Sequence, residues 1–337
     1  MEEVLNSKKV EISVIIVTKD RPEALAKISL PSLVSQTFRG FEVIIFDASS
    51  DNKTEEITKK FTGLLDIRYS RAPRVGIPSQ RNDVVKEASG AIIFFIDDDL
   101  ELGKDNIEKT VEAFKKKNIS GCAPPVISGK ETVSSGKKRK KSIVRKILRI
   151  VFGELLRSDR RIVLSSGKNI YPSEDKASEA QWLSGCAMAF RKEIFADHSF
   201  NEKLQRFGNY ALGEDVDFTY RLFLEGHRLE VIEAQPAIHQ VASNGRLSPH
   251  SNSASSVFNF YLIWRNIIFP RNRWSLIVYF LSLLWEAILD IKTSISIKSI
   301  GPIKGYFQGL KAALTLEWHL HMGKNLKNLP DSHLRIK

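Results

Sequence analysis

Through the first 125 residues, short apolar runs alternate with segments whose apolar positions recur every three or four residues. The runs at 11–17, 41–47, 66–69, 91–96 and 120–126 predict strands. The segments 22–36, 54–61, 78–88 and 104–117 predict helices, with Pro31 starting or kinking a turn inside the first. Three of the strands contain continuous apolar runs, VIIV, VIIF and AIIFFI, the pattern of strands covered on both faces. Such alternation predicts an α/β fold, a doubly wound and mostly parallel sheet with helices on both faces. Ligands of such sheets bind beyond the carboxyl ends of the strands. The residues there are Thr18, Lys19 and Asp20, then Asp47, then Asp97, Asp98 and Asp99. Carboxylates at three strand ends point to a cation and a polar ligand.

Further along, 130–141 is rich in Gly, Ser and Lys and reads as a loop. In 142–157, Ile143, Val144, Ile147, Leu148, Val151 and Leu155 share one helical face, while Arg145, Arg149 and Arg157 line another. That pattern fits a basic amphipathic helix at a membrane surface, or an ordinary surface helix. The stretch 274–289 is apolar except for a stripe of Ser275, Tyr279, Ser282 and Glu286. As a helix it is about 24 Å long, short of the ~30 Å hydrocarbon core. It therefore reads as an interfacial helix or a buried core helix rather than a span.

Charge sharpens this picture. The net charge is +12, and 137–161 alone holds eleven Lys or Arg against Glu154 and Asp159. A concentrated basic segment suggests anionic lipid, nucleic acid or a polyanion. It lacks the interleaved aromatics of nucleic-acid stacking surfaces, so no nucleic acid is expected as a partner. Two cysteines make no disulfide framework, and the polar N-terminus does not resemble a secretory signal. The expected location is cytoplasmic.

Three constellations carry chemistry. Asp97-Asp98-Asp99 ends an apolar strand, and adjacent carboxylates there need a cation or donors to offset their repulsion; a solvated turn is the plain alternative. Gly213-Glu214-Asp215 opens a helical pattern, where acids complement the helix dipole or supply a general base. His239 ends a short strand; it is either structural or completes a metal site beside Asp99.

Taken in order, these segments resemble family 2 glycosyltransferases of GT-A fold. The resemblance runs over about residues 11–270, through SVIIVTKDRP (13–22), FDASSD (46–51), the segment from Gly76 to Arg81-Asn82, Asp97-Asp98-Asp99 as the D-x-D motif, WLSGCAMAFR (182–191), FNE (200–202), GED (213–215), GHRL (226–229), and Tyr261 with Arg265-Asn266. It implies that Thr18, Asp20, Asp47, Arg81, Asp97 and Asp98 bind the nucleotide, with Asp47 accepting from the base, Arg81 facing the nucleotide from a loop and Asp97 near the ribose. Asp99 would ligate a Mn²⁺ or Mg²⁺ bridging the diphosphate, with His239 contributing. Asp215 would be the base, and Trp182, Gly185 and Glu214 would lie on the acceptor side.

The implied domains are a nucleotide-sugar half (1–125), a basic insertion (126–180), an acceptor and catalytic half (181–255) and a C-terminal helical, membrane-associated region (256–337). The leaving nucleoside diphosphate gains negative charge, which a divalent cation stabilises, and the acceptor hydroxyl needs a base. One base without a carboxylate nucleophile implies inversion at the anomeric carbon. Lys19 stands where the family often has an aromatic residue. The Q-x-x-R-W motif of processive synthases is absent, since Arg273-Trp274 follows Pro270. The expectation is therefore transfer of one sugar per encounter from a nucleotide-diphosphate sugar to a glycan or lipid-linked acceptor. That reaction would serve cell-surface glycan or glycolipid assembly at the cytoplasmic face of an anionic membrane, with the enzyme peripheral or monotopic. The rivals are a sugar nucleotidyltransferase, which usually carries a Gly-rich loop absent at 18–22, and a non-catalytic membrane- or polyanion-binding protein.

Overall fold

A computed structural model describes residues 10–116, 118–129, 160–172, 174–208, 210–240 and 247–322. The expected apolar runs form β1 (Ile12–Thr18), β2 (Phe41–Asp47), β3 (Ile67–Arg71) and β4 (Ile92–Ile96). These are followed by β5 (Leu100–Glu101), β6 (Gly121–Ala123), β7 (Val126–Ser128), β8 (Ile162–Val163) and β9 (Asn169–Ile170). The last are β10 (Ser178–Glu179), β11 (Ala187–Arg191), β12 (Leu229–Val231) and β13 (Ala237–His239). The main sheet has eight strands in the order β10-β12-β6-β11-β4-β1-β2-β3.

Only part of that sheet matches the expectation of mostly parallel pairing. The block β3-β2-β1-β4 is parallel, as is β12 with β6. Strand β11 runs antiparallel between β4 and β6, and β10 is antiparallel to β12, so the sheet is mixed. Strand–helix alternation dictates parallel neighbours only where each helix returns the chain to the same edge. Strand β11 enters after a long excursion, which carries no such constraint. Strands before residue 125 and after 181 thus share one sheet. The run 120–126 is split into β6 and β7 at Pro124-Pro125, because proline donates nothing to a ladder.

Both faces of the sheet are covered. On one, Ile12, Val14 and Ile16 pack with Leu25, Leu30 and Leu33 and with Ile107, Val111 and Phe114 of helix Asn106–Lys116. On the other, Ile15, Ile44 and Phe95 pack with Val84 of helix Ile77–Val84 and Phe218 and Leu222 of helix Glu214–Leu224. The first helical run spans 22–34, with a π turn at Leu25–Ser29 ahead of Pro31. That wider turn accommodates a ring whose nitrogen has no hydrogen to donate.

Beyond the sheet, helices Pro249–Ile263, Ser275–Ile297 and Gly301–His321 form a second apolar cluster around Phe258, Tyr261, Trp264, Tyr279, Ala312 and Leu316. The helix expected over 274–289 runs on to Ile297, since Asp290 and Ser294 continue its polar stripe. Among the described residues no helix is long and apolar enough to cross a membrane. The basic loop 130–141 and the amphipathic helix over 142–157 lie outside the described residues. Arg161, counted with that basic segment, is fully buried and paired with Asp175, so it adds nothing to a basic surface.

Candidate active site

The strand ends converge as their register requires. Thr18 lies level with Asp47 across β1 and β2, and its hydroxyl donates to Asp98 Oδ2 at 2.6 Å. Asp98 and Asp99 are buried, and the neighbouring Arg21 reaches both: Nη1 to Asp98 Oδ1 at 2.7 Å and Nη2 to Asp99 Oδ2 at 2.5 Å. In the antiparallel pairing of β13 with β5, His239 faces Leu100, which sets its Nε2 3.0 Å from Asp99 Oδ1 and 3.9 Å from Asp97 Oδ2. Ligand atoms of Asp97, Asp99 and His239 all lie within 4.8 Å of one another. Burial pushes the Asp97 and Asp98 carboxyls upward, opposed by Arg81 and His239 at Asp97 and by Arg21 and Thr18 at Asp98. Two desolvated carboxylates and an imidazole make a donor set that suits a divalent cation such as Mn²⁺. The residues therefore fit the expected metal.

Across the cleft, helix Glu214–Leu224 starts at Gly213, whose φ of 82° is a left-handed geometry open to glycine. Asp215 accepts from the Gly185 N–H and from its neighbour's, Val216, each at 2.8 Å. A Cβ on Gly185 would lie 3.2 Å from both Asp215 Cβ and Glu214 Oε1, so any larger residue there would press on the two acids. Glu214 is bound at 3.0 Å by Arg81 Nη1, while Arg81 Nη2 donates to the Gly185 carbonyl at 2.8 Å. Burial beside one another pushes both acids above the ordinary carboxylate range, and Arg81 opposes the shift. Such a carboxylate is a stronger proton acceptor than a solvated one.

Both constellations open on one cavity of about 920 Å³, lined by Asp97, His239, Glu214 and Asp215 and also by Tyr171 and Tyr210. A smaller pocket of about 280 Å³ shares Asp97 and Tyr210 with it and reaches Thr18, Asp20, Arg21 and Asp98.

Residues 13–198, more than half of the chain, match the family Glycosyl transferase family 2. The chain belongs to this family. It is 28% identical over 244 residues to chondroitin synthase of Escherichia coli, covering 68% of this chain and 34% of that protein. It is 26% identical over 218 residues to the poly(ribitol-phosphate) beta-N-acetylglucosaminyltransferase TarS of Staphylococcus aureus, covering 59% and 36%. The chain thus spans about a third of the length of these relatives. Among solved structures, GalNAc-T7 with UDP, GalNAc and Mn²⁺ superposes with a TM-score of 0.53 at 15% identity, covering 80% of this chain and 52% of that one. The mannosyltransferase PcManGT of Pyrobaculum calidifontis, in complex with GDP-Man and Mn²⁺, gives 0.51 at 14%, covering 90% and 86%. At those identities the likeness shows the shared GT-A fold.

Within this family 2 framework the structure brings most of the expected residues to the cleft. Thr18, Asp20, Arg81, Asp97, Asp98, His239, Gly185, Glu214 and Asp215 line one pocket or the other, and Asp99 joins His239 beneath. Three stand differently. Asp47 is fully buried, its carboxylate accepting from Ser49 and from the Tyr69 hydroxyl at 2.9 Å. Arg81 sits in a helix rather than a loop, buried against the Phe95 and Phe200 rings. Trp182 is fully buried and packs edge-on against Tyr171, which itself faces the cavity. Sequence reasoning missed Arg21 as a partner of the D-x-D motif; its position three residues past the end of β1 was the available signal. Tyr171 and Tyr210 gave none, since isolated tyrosines in loops have no pattern.

Proposed function

We propose that this chain is a metal-dependent, inverting glycosyltransferase that moves a single sugar from a nucleotide-diphosphate sugar to an acceptor hydroxyl. The observation that carries the reading is that the Asp97–Asp99–His239 cluster and the Glu214–Asp215 pair open on one cavity. The smaller pocket, floored by Thr18, Asp98 and Gln80, takes the nucleoside end of the donor. Asp97, Asp99 and His239 would hold Mn²⁺ or Mg²⁺, which would supply positive charge to offset the negative charge developing on the departing diphosphate. Asp215, held by the Gly185 and Val216 amides, takes the acceptor's proton as its oxygen attacks the anomeric carbon. No second carboxylate is needed as a nucleophile in that arrangement, so the transfer inverts.

The acceptor is a glycan or lipid-linked hydroxyl in cell-surface glycan or glycolipid assembly, and the enzyme works at the cytoplasmic face of a membrane as a peripheral or monotopic protein. Support for that placement is the exposed apolar face of the C-terminal helices. An N-acetylglucosamine nucleotide is the first donor to try, after the activity in the name of the TarS relative.

The test is a panel of UDP-, GDP- and dTDP-sugars scored by thermal protection and by donor hydrolysis, with Mn²⁺, Mg²⁺ or EDTA. One donor that protects and is hydrolysed only with a divalent ion is the expected result. If no nucleotide sugar does either under any metal condition, glycosyl transfer by this chain is wrong.

A further inference from the structure

Helix Ser275–Ile297 is built inside out. Its buried residues are Ser275, Tyr279 and Ser294. The Ser275 hydroxyl accepts from Trp264 Nε1 at 2.9 Å. About three turns further, Glu286 accepts from Lys168 and from Ser256, the latter at 2.5 Å, and Asp290 accepts from Ser253 at 2.7 Å. A polar seam thus follows the helix on its protein side, interrupted by Tyr279 and Leu283, which pack into the apolar cluster around Trp264. The opposite side exposes Ile277, Phe280, Leu284, Ile288, Ile291 and Ile295, between 48% and 74% open. Helix Gly301–His321, packed beside it, exposes Phe307, Leu314 and Trp318 at 61–64%. A helix in water puts its apolar stripe inward; reversal over 23 residues calls for an apolar partner on the outer side.

Charge says which partner. Between 271 and 322 the acids are Glu286, Asp290 and Glu317, and each is turned to a partner in the protein; Glu317 accepts from Tyr261 and Arg265. The exposed residues that carry charge are basic, Arg271, Arg273, Lys292, Lys298, Lys304 and Lys311, while Glu317 keeps 41% of its side chain open within its ion pair. An apolar face whose neighbouring charges are mostly cations matches an anionic lipid surface, with hydrocarbon for the apolar side chains and headgroups for the cations. Trp274, 80% exposed, and Trp318 add indole rings of the kind that settle at headgroup level. Protein contacts through Ser253, Ser256, Lys168 and Trp264 on one side leave the outer side to meet lipid, and among the described residues no helix is long and apolar enough to cross a membrane.

We propose that the outer face of helices Ser275–Ile297 and Gly301–His321 is a monotopic docking surface for an anionic bilayer. This rests on the reading of a membrane-surface enzyme and names the surface that meets the lipid. Helix Pro249–Ile263, to which the seam is bonded through Ser253 and Ser256, carries Phe260 into the wall of the active-site cavity. Docking therefore ties the cavity to the bilayer by a single intervening helix, an arrangement that suits an acceptor anchored in lipid.

The experiment uses the full chain and its triple variant Phe280→Glu/Leu284→Glu/Ile288→Glu, whose sites are already exposed. Leu64→Glu, at an exposed leucine in the nucleotide half, is the control. Each is sedimented with phosphatidylcholine vesicles and with vesicles holding phosphatidylglycerol, at low and high salt, and melted to verify folding. The wild type should bind anionic vesicles, keep part of that binding in high salt, and lose about tenfold or more in the triple variant, with Leu64→Glu unchanged. Binding that is equal in wild type and triple variant overturns this docking surface while leaving a membrane enzyme that uses another. A wild type that ignores both vesicle types overturns both readings. A wild type that ignores vesicles and self-associates, and a triple variant that is monomeric, assigns the face to a second copy and overturns the lipid proposal.

Discussion

The central sheet and the C-terminal helices solve burial in opposite directions. Along β1, β2 and β4 the chain hides Val14, Val43 and Phe94 completely, and its polar groups gather at the strand ends, where Asp97, Asp98 and Asp99 meet Arg21 and His239. Along Ser275–Ile297, Ser275, Ser294 and the hydrogen-bonded acids Glu286 and Asp290 face the protein, while Ile277, Leu284, Ile288, Ile291 and Ile295 stand open. On the readings proposed above, each region departs from the ordinary pattern where it is to face something other than water or its own core. The strand ends crowd carboxylates that desolvation penalises, which is tolerated where a charged ligand is to be bound. The helix exposes apolar surface that water penalises, which is tolerated where lipid is to be met.

The sharpest break of the comparison lies at the cleft. If the strand-end and helix-start acids are chemical rather than structural, Asp215→Asn should lower kcat by roughly 10²–10⁴-fold, the usual range for loss of a general base. Donor affinity should hardly move, because the proposed function puts Asp215 on the acceptor side. The sign of the pH dependence follows from burial. The Asp215 carboxyl is pushed up, and the base works only when deprotonated. Turnover should therefore fall on acidification at a pH above the ~4 of an ordinary aspartate. Steady-state rates from pH 4 to 8, with donor titration by calorimetry, check both; a variant retaining a third of wild-type turnover would make another residue the base.

Next in size is the link between the two halves of the cleft. Arg81 is buried and holds Glu214, so Arg81→Met leaves a buried carboxylate without its partner. Breaking such a pair costs about 3–5 kcal/mol, whereas removing both charges costs much less. Urea unfolding of Arg81→Met and of Arg81→Met/Glu214→Gln should show the double variant recovering most of the loss. Equal instability of the two would mean that Arg81 matters through its contacts with Phe95 and Phe200.

How much of this was legible in the chain depends on range. Strands β1, β2 and β4 were visible because continuous apolar runs admit one reading when turns flank them. Asp97–Asp99 and Glu214-Asp215 were visible because each is a local cluster of acids at the end of a strand or the start of a helix. A solvated turn or the helix dipole explained them equally well until their order along the chain was read. The antiparallel insertion of β11 was not, since nothing local encodes which edge a strand joins after a long excursion. Nor were the Arg21–Asp99 and Arg81–Glu214 contacts, made across 78 and 133 positions. Asp47 shows the converse. Its place at a strand end was right, but Tyr69 and Ser49 occupy its carboxylate, and no motif announces a tyrosine partner on the next strand. For the C-terminal helix the stripe of Ser275, Tyr279, Ser282 and Glu286 was plain, yet periodicity gives a face without saying whether it looks in or out.

A smaller effect sharpens the metal side of the comparison. Asp99→Asn keeps the volume and removes the charge. Loss of even outer partners at metal sites costs about 10- to 100-fold in affinity, so a direct ligand should cost at least that much. Calorimetric titration of the nucleoside diphosphate with Mn²⁺ or EDTA should show tight binding only for wild type with metal. Four equal affinities would remove the metal from this site.

The smallest effect is the most telling for the helices. Leu284 is 61% exposed and Ile44 is fully buried. In buffer without lipid, Leu284→Gln should change unfolding free energy by no more than about 0.5 kcal/mol, as expected of a surface position away from special contacts. Ile44→Thr, which buries a hydroxyl among aliphatic neighbours and loses methyl packing, should cost several-fold more, on the order of 2–3 kcal/mol. The contrast is worth measuring because both residues sit in apolar runs that look alike in sequence. An Ile44-sized penalty at Leu284 would mean that the outer face is packed against protein, and the inside-out description of the helix would fall with it. A near-zero penalty in buffer, together with a marked loss of vesicle binding for the same single variant, would instead locate the apolar partner of this face outside the folded chain. Stability decides whether protein covers the face and vesicle binding decides what else does, since a side chain without protein neighbours contributes to folding only through its own helix.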